Sequence, residues 1–332
     1  MDEIITLDYG SGGKKTSRLI EQTILPDFDN PALNALGDGA LVPGSGTLAF
    51  STDSFVVDPL FFPGGDIGKL AVCGTVNDIA MCGAEPKYLS CALIIEEGLK
   101  LETLERVLRS MRGAAQKAGV QIVTGDTKVV DRGRGDKLYI NTAGIGFQKF
   151  VLPGLQAVKP GDAVLVSGTC GDHGTAVMLA RSGMMDGDVR SDCAALNRLS
   201  EKMLASGAAI RILRDPTRGG LATTLNEFTE GQPFGIELEE EQIPVRPEVR
   251  AACDMLGLEP AYCANEGKLV CICAADDAED LLAVMRSLPE GENAAWIGRV
   301  TEDANGRVVM RTGLGGRRIL QKLAGAQLPR IC

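Results

Sequence analysis

The periodic patterning of this chain breaks once in a decisive way, at Lys149 to Pro160, where Pro153, Gly154 and Pro160 interrupt it. Strand-like and helix-like segments alternate on both sides of that break. A Pro/Gly interruption between two patterned stretches marks a domain boundary, and 332 residues are enough for two domains. We expect a first domain over 1–155, a second over 156–320 and a tail over 321–332. In the first half, Leu19, Ile20, Ile24 and Leu25 share a helical face behind a glycine loop. Thr47 to Val57 reads as a strand and Asp66 to Met81 as a helix. Leu99 to Ala118 is amphipathic, with Leu101, Leu104, Val107, Leu108 and Met111 at helical intervals. Val120 to Thr124 predicts a short buried strand and Lys137 to Phe147 another. The second half predicts a strand over Asp162 to Ser167, helices near 174–185, 192–206 and 218–230, strands near 235–239 and 268–274, and a helix near 277–287. The regular βαβ beat of a doubly wound sheet is missing, which favours α+β layers with helices on one face of each sheet.

Charge limits the ligands. The net charge is −10, from 44 acidic and 34 basic residues, and no long basic run occurs, so no nucleic acid is expected as a partner. An acidic protein that binds a phosphate needs metal ions, backbone amides and a few local cations. Cys73, Cys82, Cys91, Cys170 and Cys253 are spaced singly, and Cys271 and Cys273 share one face of a strand. His173 is the only histidine, so a Cys/His metal site has little material. The cysteines outside the tail therefore read as reduced core thiols of a cytoplasmic protein. No stretch resembles a signal peptide or a membrane span.

Several short segments carry chemistry. Asp38, Asp53, Asp78 and Asp126 each stand beside glycine, threonine, serine or asparagine at an expected element end. One such Asp is ordinarily a cap or turn residue, whereas four suit a hard cation, and Mg²⁺ bridges carboxylates to phosphates. The loop Gly10-Ser11-Gly12-Gly13-Lys14 lacks the spacing of a Walker motif. It suits either a flexible arm or a lid whose amides and lysine approach phosphates. Asp215-Pro-Thr-Arg-Gly-Gly220 precedes a helix and suits an anion site or a plain turn. Glu266, in Asn265-Glu-Gly-Lys268, is a base or a solvated turn residue, and His173 reads as a helix-start residue. The chain ends in Leu328-Pro329-Arg330-Ile331-Cys332, either a frayed terminus or an extended arm with a carrier thiol. Ten extended residues span roughly 33 Å.

Together these motifs resemble one family. The stretches Gly10 to Gly13, Ser51 to Gly65, Thr124-Gly-Asp-Thr-Lys128, Gly171-Asp-His-Gly174, Asp215 to Gly220, Asn265 to Lys268 and Pro329-Arg-Ile-Cys332 are similar to those of the HypE hydrogenase maturation factors. These lie within the aminoimidazole ribonucleotide synthetase-like (PurM-like) ATP-binding superfamily. The resemblance implies two α+β domains, an N-terminal domain that pairs into a homodimer, and a flexible C-terminal tail. It implies that Cys332 takes a carbamoyl group from the carbamoyltransferase HypF. ATP-dependent dehydration of the thiocarboxamide to a thiocyanate follows, and the cyanide passes to iron on the HypC–HypD complex for [NiFe] hydrogenase. By the same resemblance Asp38, Asp53, Asp78 and Asp126 hold Mg²⁺ with ATP, and Gly12, Gly13 and Lys14 cover the phosphates. Asp215, Thr217, Arg218, Gly219 and Gly220 help bind ATP, Lys128 and Glu266 meet the incoming thiocarboxamide, and Arg330 docks the tail there. Rival readings are a purine-pathway synthetase, a selenophosphate synthetase, which would want a Cys or selenocysteine where this loop has Ser11, and a non-catalytic ATP-binding scaffold that presents its tail.

Overall fold

The computed structural model describes residues 13–19, 21, 40–44, 46–184, 188–303, 305–323, 325 and 330–332. Helix α1 (Lys14–Leu19) is followed by the hairpin of β1 (Ala40–Gly44) and β2 (Gly46–Phe55). A small hairpin, β3 (Phe61–Phe62) and β4 (Gly65–Asp66), leads into α2 (Ile67–Met81). Asp66 caps α2, its Oδ1 accepting from Gly68 N at 2.8 Å and Lys69 N at 3.1 Å. Next come β5 (Ala84–Glu96), α3 (Leu101–Ala118), β6 (Gln121–Val130) and β7 (Leu138–Gln148). They build a five-stranded sheet of order β1-β2-β7-β5-β6, antiparallel except at the β5–β6 edge.

Two expectations for this half need correction. The strand expected over Val120 to Thr124 runs instead from Gln121 to Val130, and its residues 121–129 are all exposed. It is an edge strand, and α3 packs mainly on α2 rather than over it, so the apolar run is not covered. Strand β5 was not anticipated. Its start, Glu85-Pro86-Lys87, reads as a turn, and the ladder does slip between Pro86 and Tyr88.

The second half contains β8 (Ala163–Val166), α4 (Asp172–Arg181), α5 (Asn197–Ala205), β9 (Ile210–Arg214), α6 (Gly220–Thr229), β10 (Phe234–Glu239), α7 (Pro247–Leu256), β11 (Val270–Cys273), α8 (Ala278–Arg286), β12 (Ala295–Glu302), β13 (Val308–Arg311) and β14 (Arg317–Leu320). Its seven-stranded sheet has the order β14-β13-β10-β12-β8-β11-β9. This sheet is covered on both faces, not one. Val164, Val166, Val270 and Ile272 face α6 residues Leu221, Leu225 and Phe228. Ala163, Leu165, Cys271 and Cys273 face Leu199 and Met203 of α5 and Leu281 and Met285 of α8. Strands apolar at every position, as β8 and β11 are, need cover on both sides. Cys271 and Cys273 share a face, as their spacing requires.

Helix α2 joins the halves. Thirteen of its fifteen residues are buried, and a helix apolar all round is stable only when surrounded. It lies on β2, β5 and β7 and meets α3, α5 and β9. Its Asn77 is buried and spans to the second half: Oδ1 accepts from Leu196 N at 2.8 Å and Nδ2 donates to Ala194 O at 3.1 Å. These bonds hold residues 191–196 out of the helix expected from 192, so α5 begins only at Asn197. Among the described residues no helix is long and apolar enough to cross a membrane.

Replacing Asn77 with Ala strips both bonds and leaves a buried carbonyl and a buried amide unpaired. We expect a loss of about 2–3 kcal/mol of stability, read from the midpoint of denaturant unfolding. An unchanged midpoint would show that residues 191–196 do not depend on α2.

Candidate active site

The chain's last residue lies inside the protein. Ile331 forms an antiparallel bridge with Val57 and is buried in the first-half core at 3% exposure. Asp58 N donates to Arg330 O at 3.3 Å. Arg181, at the end of α4, donates from Nη2 to the same carbonyl at 2.7 Å and from Nε to Asp58 O at 2.9 Å. Cys332 follows, half-buried, with its thiol beside the carboxyl of Glu266.

Glu266 owes its place to backbone packing. Its turn lies on Asp192, whose Oδ1 accepts from Glu266 N at 3.0 Å and whose Oδ2 accepts from Gly267 N at 3.2 Å. A Cβ on Gly267 would stand 1.9 Å from Asp192 O, so only glycine fits there. Asn265, fully buried, accepts from Gly171 N at 2.7 Å and donates to Pro216 O and Cys263 O at 3.1 and 3.2 Å. It thereby ties together the loops that begin α4 and α6. The second of these carries Arg218. Gly220 holds it close, since a Cβ there would meet Cys263 O at 2.5 Å and Ala261 O at 2.7 Å.

The electrostatics follow from burial in a crowd of acids. Desolvation pushes the Glu266 carboxyl well above the usual range, Asp215, Asp53 and Asp192 push it further, and Arg218 opposes them. Its Oε1 is buried without a hydrogen-bond partner. Burial likewise raises the Cys332 thiol, with Glu266 and Asp53 adding to the shift and Arg218 resisting. Burial raises Asp53 as well, against the pull of Arg218. The Arg218 guanidinium is held firmly charged by Cys332, Asp53, Glu266 and Asp78. One guanidinium, on a residue that is itself exposed, thus serves several acids, and burial favours the protonated forms of Glu266 and Cys332.

The residues expected to act together do not all meet. Cys332, Glu266, Arg218, Asp53, Asp78 and Asp215 converge. Asp78 also accepts from Ser51 Oγ at 2.6 Å. Thr217, Gly219 and Gly220 form the turn that presents Arg218. Gly13 is buried and Lys14 exposed at the root of the tail, where Lys14 N donates to Leu323 O at 2.9 Å and Lys322 Nζ to Ser17 Oγ at 2.8 Å. Gly12 and Asp38 lie outside the described residues. Asp126 and Lys128 stand exposed on β6, paired with each other at 3.1 Å, so within one chain Lys128 does not join Glu266. The Arg330 side chain also turns away from the site, to Asp136 at 2.9 Å. Its backbone is left-handed, at φ 51°, which directs the carbonyl rather than the side chain into the protein. Among the described residues no three acids, thiols or imidazoles stand close enough to hold a metal.

Asp192, Ser191 and Arg181 were not anticipated. Asp192 and Ser191 fall in a stretch whose pattern mimics a helix start, and Arg181 ends an ordinary amphipathic turn. Asn265 had a visible signal, a polar residue inside a glycine-flanked motif that a strand then continues.

Comparison with known proteins covers almost the whole chain. Residues 36–148 match the family described as AIR synthase related protein, N-terminal domain, and 159–311 its C-terminal domain. Carbamoyl dehydratase HypE of Cupriavidus necator is 51% identical over 333 aligned positions, covering 99% of this chain and 95% of the relative. A crystal structure of hydrogenase maturation protein HypE in complex with ATP superposes with a TM-score of 0.83 at 53% identity, covering 99% of this chain and 100% of that one. A HypE–HypF complex matches with a TM-score of 0.87 at 47% identity, over 92% of this chain and 99% of that one.

The raised carboxyl gives a signed pH dependence. Unfolded, Glu266 ionises near pH 4.5, whereas in the fold it keeps its proton to higher pH. Its contribution to stability is therefore fullest below about pH 4.5 and falls as pH rises. Glu266→Gln, which mimics the neutral acid, should raise Tm at pH 8 and leave it nearly unchanged at pH 4.5. A Tm difference that does not vary with pH would show that Glu266 is ionised in place.

Proposed function

The chain belongs to the HypE family of carbamoyl dehydratases, and on that premise we propose that Cys332 carries the carbamoyl group and that the site around Glu266 dehydrates it with ATP. The protein is an ATP-dependent carbamoyl dehydratase of hydrogenase maturation. The observation that carries the assignment of Cys332 is its position, with the last residue of the chain drawn into the acid-and-arginine site at Glu266.

The chemistry makes an amide oxygen leave. The carbamoyl oxygen of the thiocarboxamide takes the γ-phosphoryl group of ATP, releasing ADP. The C–O bond then breaks, phosphate departs with the oxygen, and two protons leave the nitrogen to give S–C≡N. Glu266 is suited to take such a proton, because a carboxylate whose pKa is raised is a better base once ionised. Its partnerless Oε1 faces no other donor. Arg218, close enough to interact with Cys332 and Glu266, suits neutralisation of the negative charge that would develop on the oxygen.

Among the described residues, those for Mg²⁺ are fewer than a closed protein cage requires. Asp53 and Asp78, both acting on Arg218, supply two carboxylates, which suits an ion held mainly by ATP phosphates and water. Bound there, it would neutralise phosphate charge. Lys14 N donates to Leu323 O and Lys322 Nζ to Ser17 Oγ at the tail root, which suits a coupling of ATP binding to the inward tail.

Loading requires a thiolate, and the inward thiol is kept protonated. Carbamoyl transfer from HypF therefore belongs to an outward tail, and cyanide delivery to HypC–HypD to a second outward excursion. Asp126 and Lys128 fit the site of a second copy. Phe50, Ile145 and Tyr88 pair across three strands of the first sheet and are exposed by 44%, 37% and 44%. An apolar row of this kind suits a homodimer interface. Ten free cysteines favour a cytoplasmic location.

Two measurements test this. Intact mass should show one carbamoyl gained on Cys332 with HypF and one water lost with Mg-ATP, and Cys332→Ala should bind ATP yet gain nothing. Loading without water loss would leave a carrier scaffold. Ile145→Glu should convert a dimer to monomer in analytical ultracentrifugation and lower single-turnover dehydration at least tenfold. Full activity in a monomer would remove Asp126 and Lys128 from the mechanism.

A further inference from the structure

His173 has a job that its place at the start of α4 does not explain. The ring is fully buried. Its Nε2 lies 2.8 Å from the carbonyl oxygen of Ile331 and its Nδ1 lies 2.8 Å from Ser191 Oγ. A carbonyl oxygen only accepts, so Nε2 carries the proton. Burial disfavours the charged ring, so Nδ1 is the acceptor and Ser191 Oγ donates to it. Ser191 Oγ in turn accepts from Cys193 N at 3.1 Å, and Ser191 N donates to Pro63 O at 2.8 Å. Every member of this relay has a partner, and its direction is fixed. Phe62 packs edge-on to the ring, with centroids 5.4 Å apart at 82°, which prevents it from turning.

The bond falls at a telling place. The carbonyl of Ile331 and the amide nitrogen of Cys332 belong to one rigid peptide plane. Fixing that oxygen fixes the direction in which Cys332 leaves the chain. One residue earlier, Arg181 at the other end of the same helix holds the Arg330 carbonyl. Helix α4 thus grips two successive carbonyls of the tail, and His173 holds the one attached to the carrier residue.

We propose that His173 is a positioning residue for the dehydration step: through Nε2–H it holds the Ile331 carbonyl and so sets the Cys332 side chain against Glu266. The proposal rests on the reading of Cys332 as the carrier. It assigns His173 no contact with the reacting atoms.

The test uses the full-length protein and two substitutions. His173→Gln can place its amide nitrogen near the position of Nε2 and keep the donor, whereas His173→Leu fills the space without one. The first readout is alkylation of Cys332 by iodoacetamide in the presence of Mg-ATP. It is followed by the mass of the 303–332 peptide after Glu-specific cleavage, in which Cys332 is the only cysteine. The second is single-turnover water loss from carbamoylated protein, and the third is Tm. We expect His173→Leu to raise the alkylation rate and lower the dehydration rate, each about tenfold, the loss of one buried hydrogen bond. Carbamoyl loading should be unaffected, and His173→Gln should restore both rates to within about threefold. Wild-type rates in His173→Leu would overturn the proposal. So would equal defects in both variants accompanied by equal losses of Tm, which would make the ring a packing element. A wild type that takes no carbamoyl on Cys332 would overturn the carrier reading and this proposal with it. The alkylation rates separate that result from failure of the grip alone.

Discussion

Helix α2 has no polar face to turn toward water, and the structure is arranged around that constraint. The first sheet covers one side of it, and elements from the second half cover what remains. Once α2 is sandwiched, Asn77 must find partners in the second half, and it takes the backbone of residues 194–196. That segment brings Ser191 and Asp192 with it. Asp192 sets the Glu266 turn and Ser191 orients His173. A buried apolar helix therefore determines, through one asparagine and one loop, where the acid and the tail meet. Asp78, one residue after Asn77, faces Arg218 from the same helix.

The site is acidic in a protein that is acidic overall, and this shapes its chemistry. Glu266 and Asp215 are buried, Cys332 is half-buried and one exposed guanidinium is shared among them, so burial and mutual repulsion favour protonated forms. Glu266 and Cys332 are both shifted toward their protonated forms. Cations brought with a nucleotide would shift that balance toward the ionised carboxylate of Glu266. The same crowding explains why the inward position cannot serve for thiol loading.

Motifs were the legible part of the sequence, and distance was not. The two-part layout, α2, α3 and the face shared by Cys271 and Cys273 follow from short-range patterns. The importance of Glu266 and Cys332 follows from family-like motifs rather than from any periodicity. What the sequence did not show depends on partners far along the chain. The exposure of β6 depends on where α3 settles. The extended path of 191–196 is set by Asn77, more than a hundred residues earlier. Arg181 acts on a carbonyl 149 positions away. The side chain of Arg330 was expected in the site, but its left-handed backbone sends it to Asp136 instead. No single-residue preference contains that information.

The grip on the tail is made through backbone carbonyls, with Ile331 as its apolar anchor, and none of these contacts involves the sulfur of Cys332. If Cys332 carries the group, helix α4 can hold an empty, a loaded and a spent arm by the same bonds. Such a device cannot sort its cargo by docking, so direction must come from chemistry at the sulfur and from the partners that meet the arm outside. The cargo is also part of the polypeptide that processes it. Raising the concentration of free substrate cannot saturate such a protein. Its output is counted per molecule and per swing of the arm, more like a conveyor with one hook than a vessel that fills.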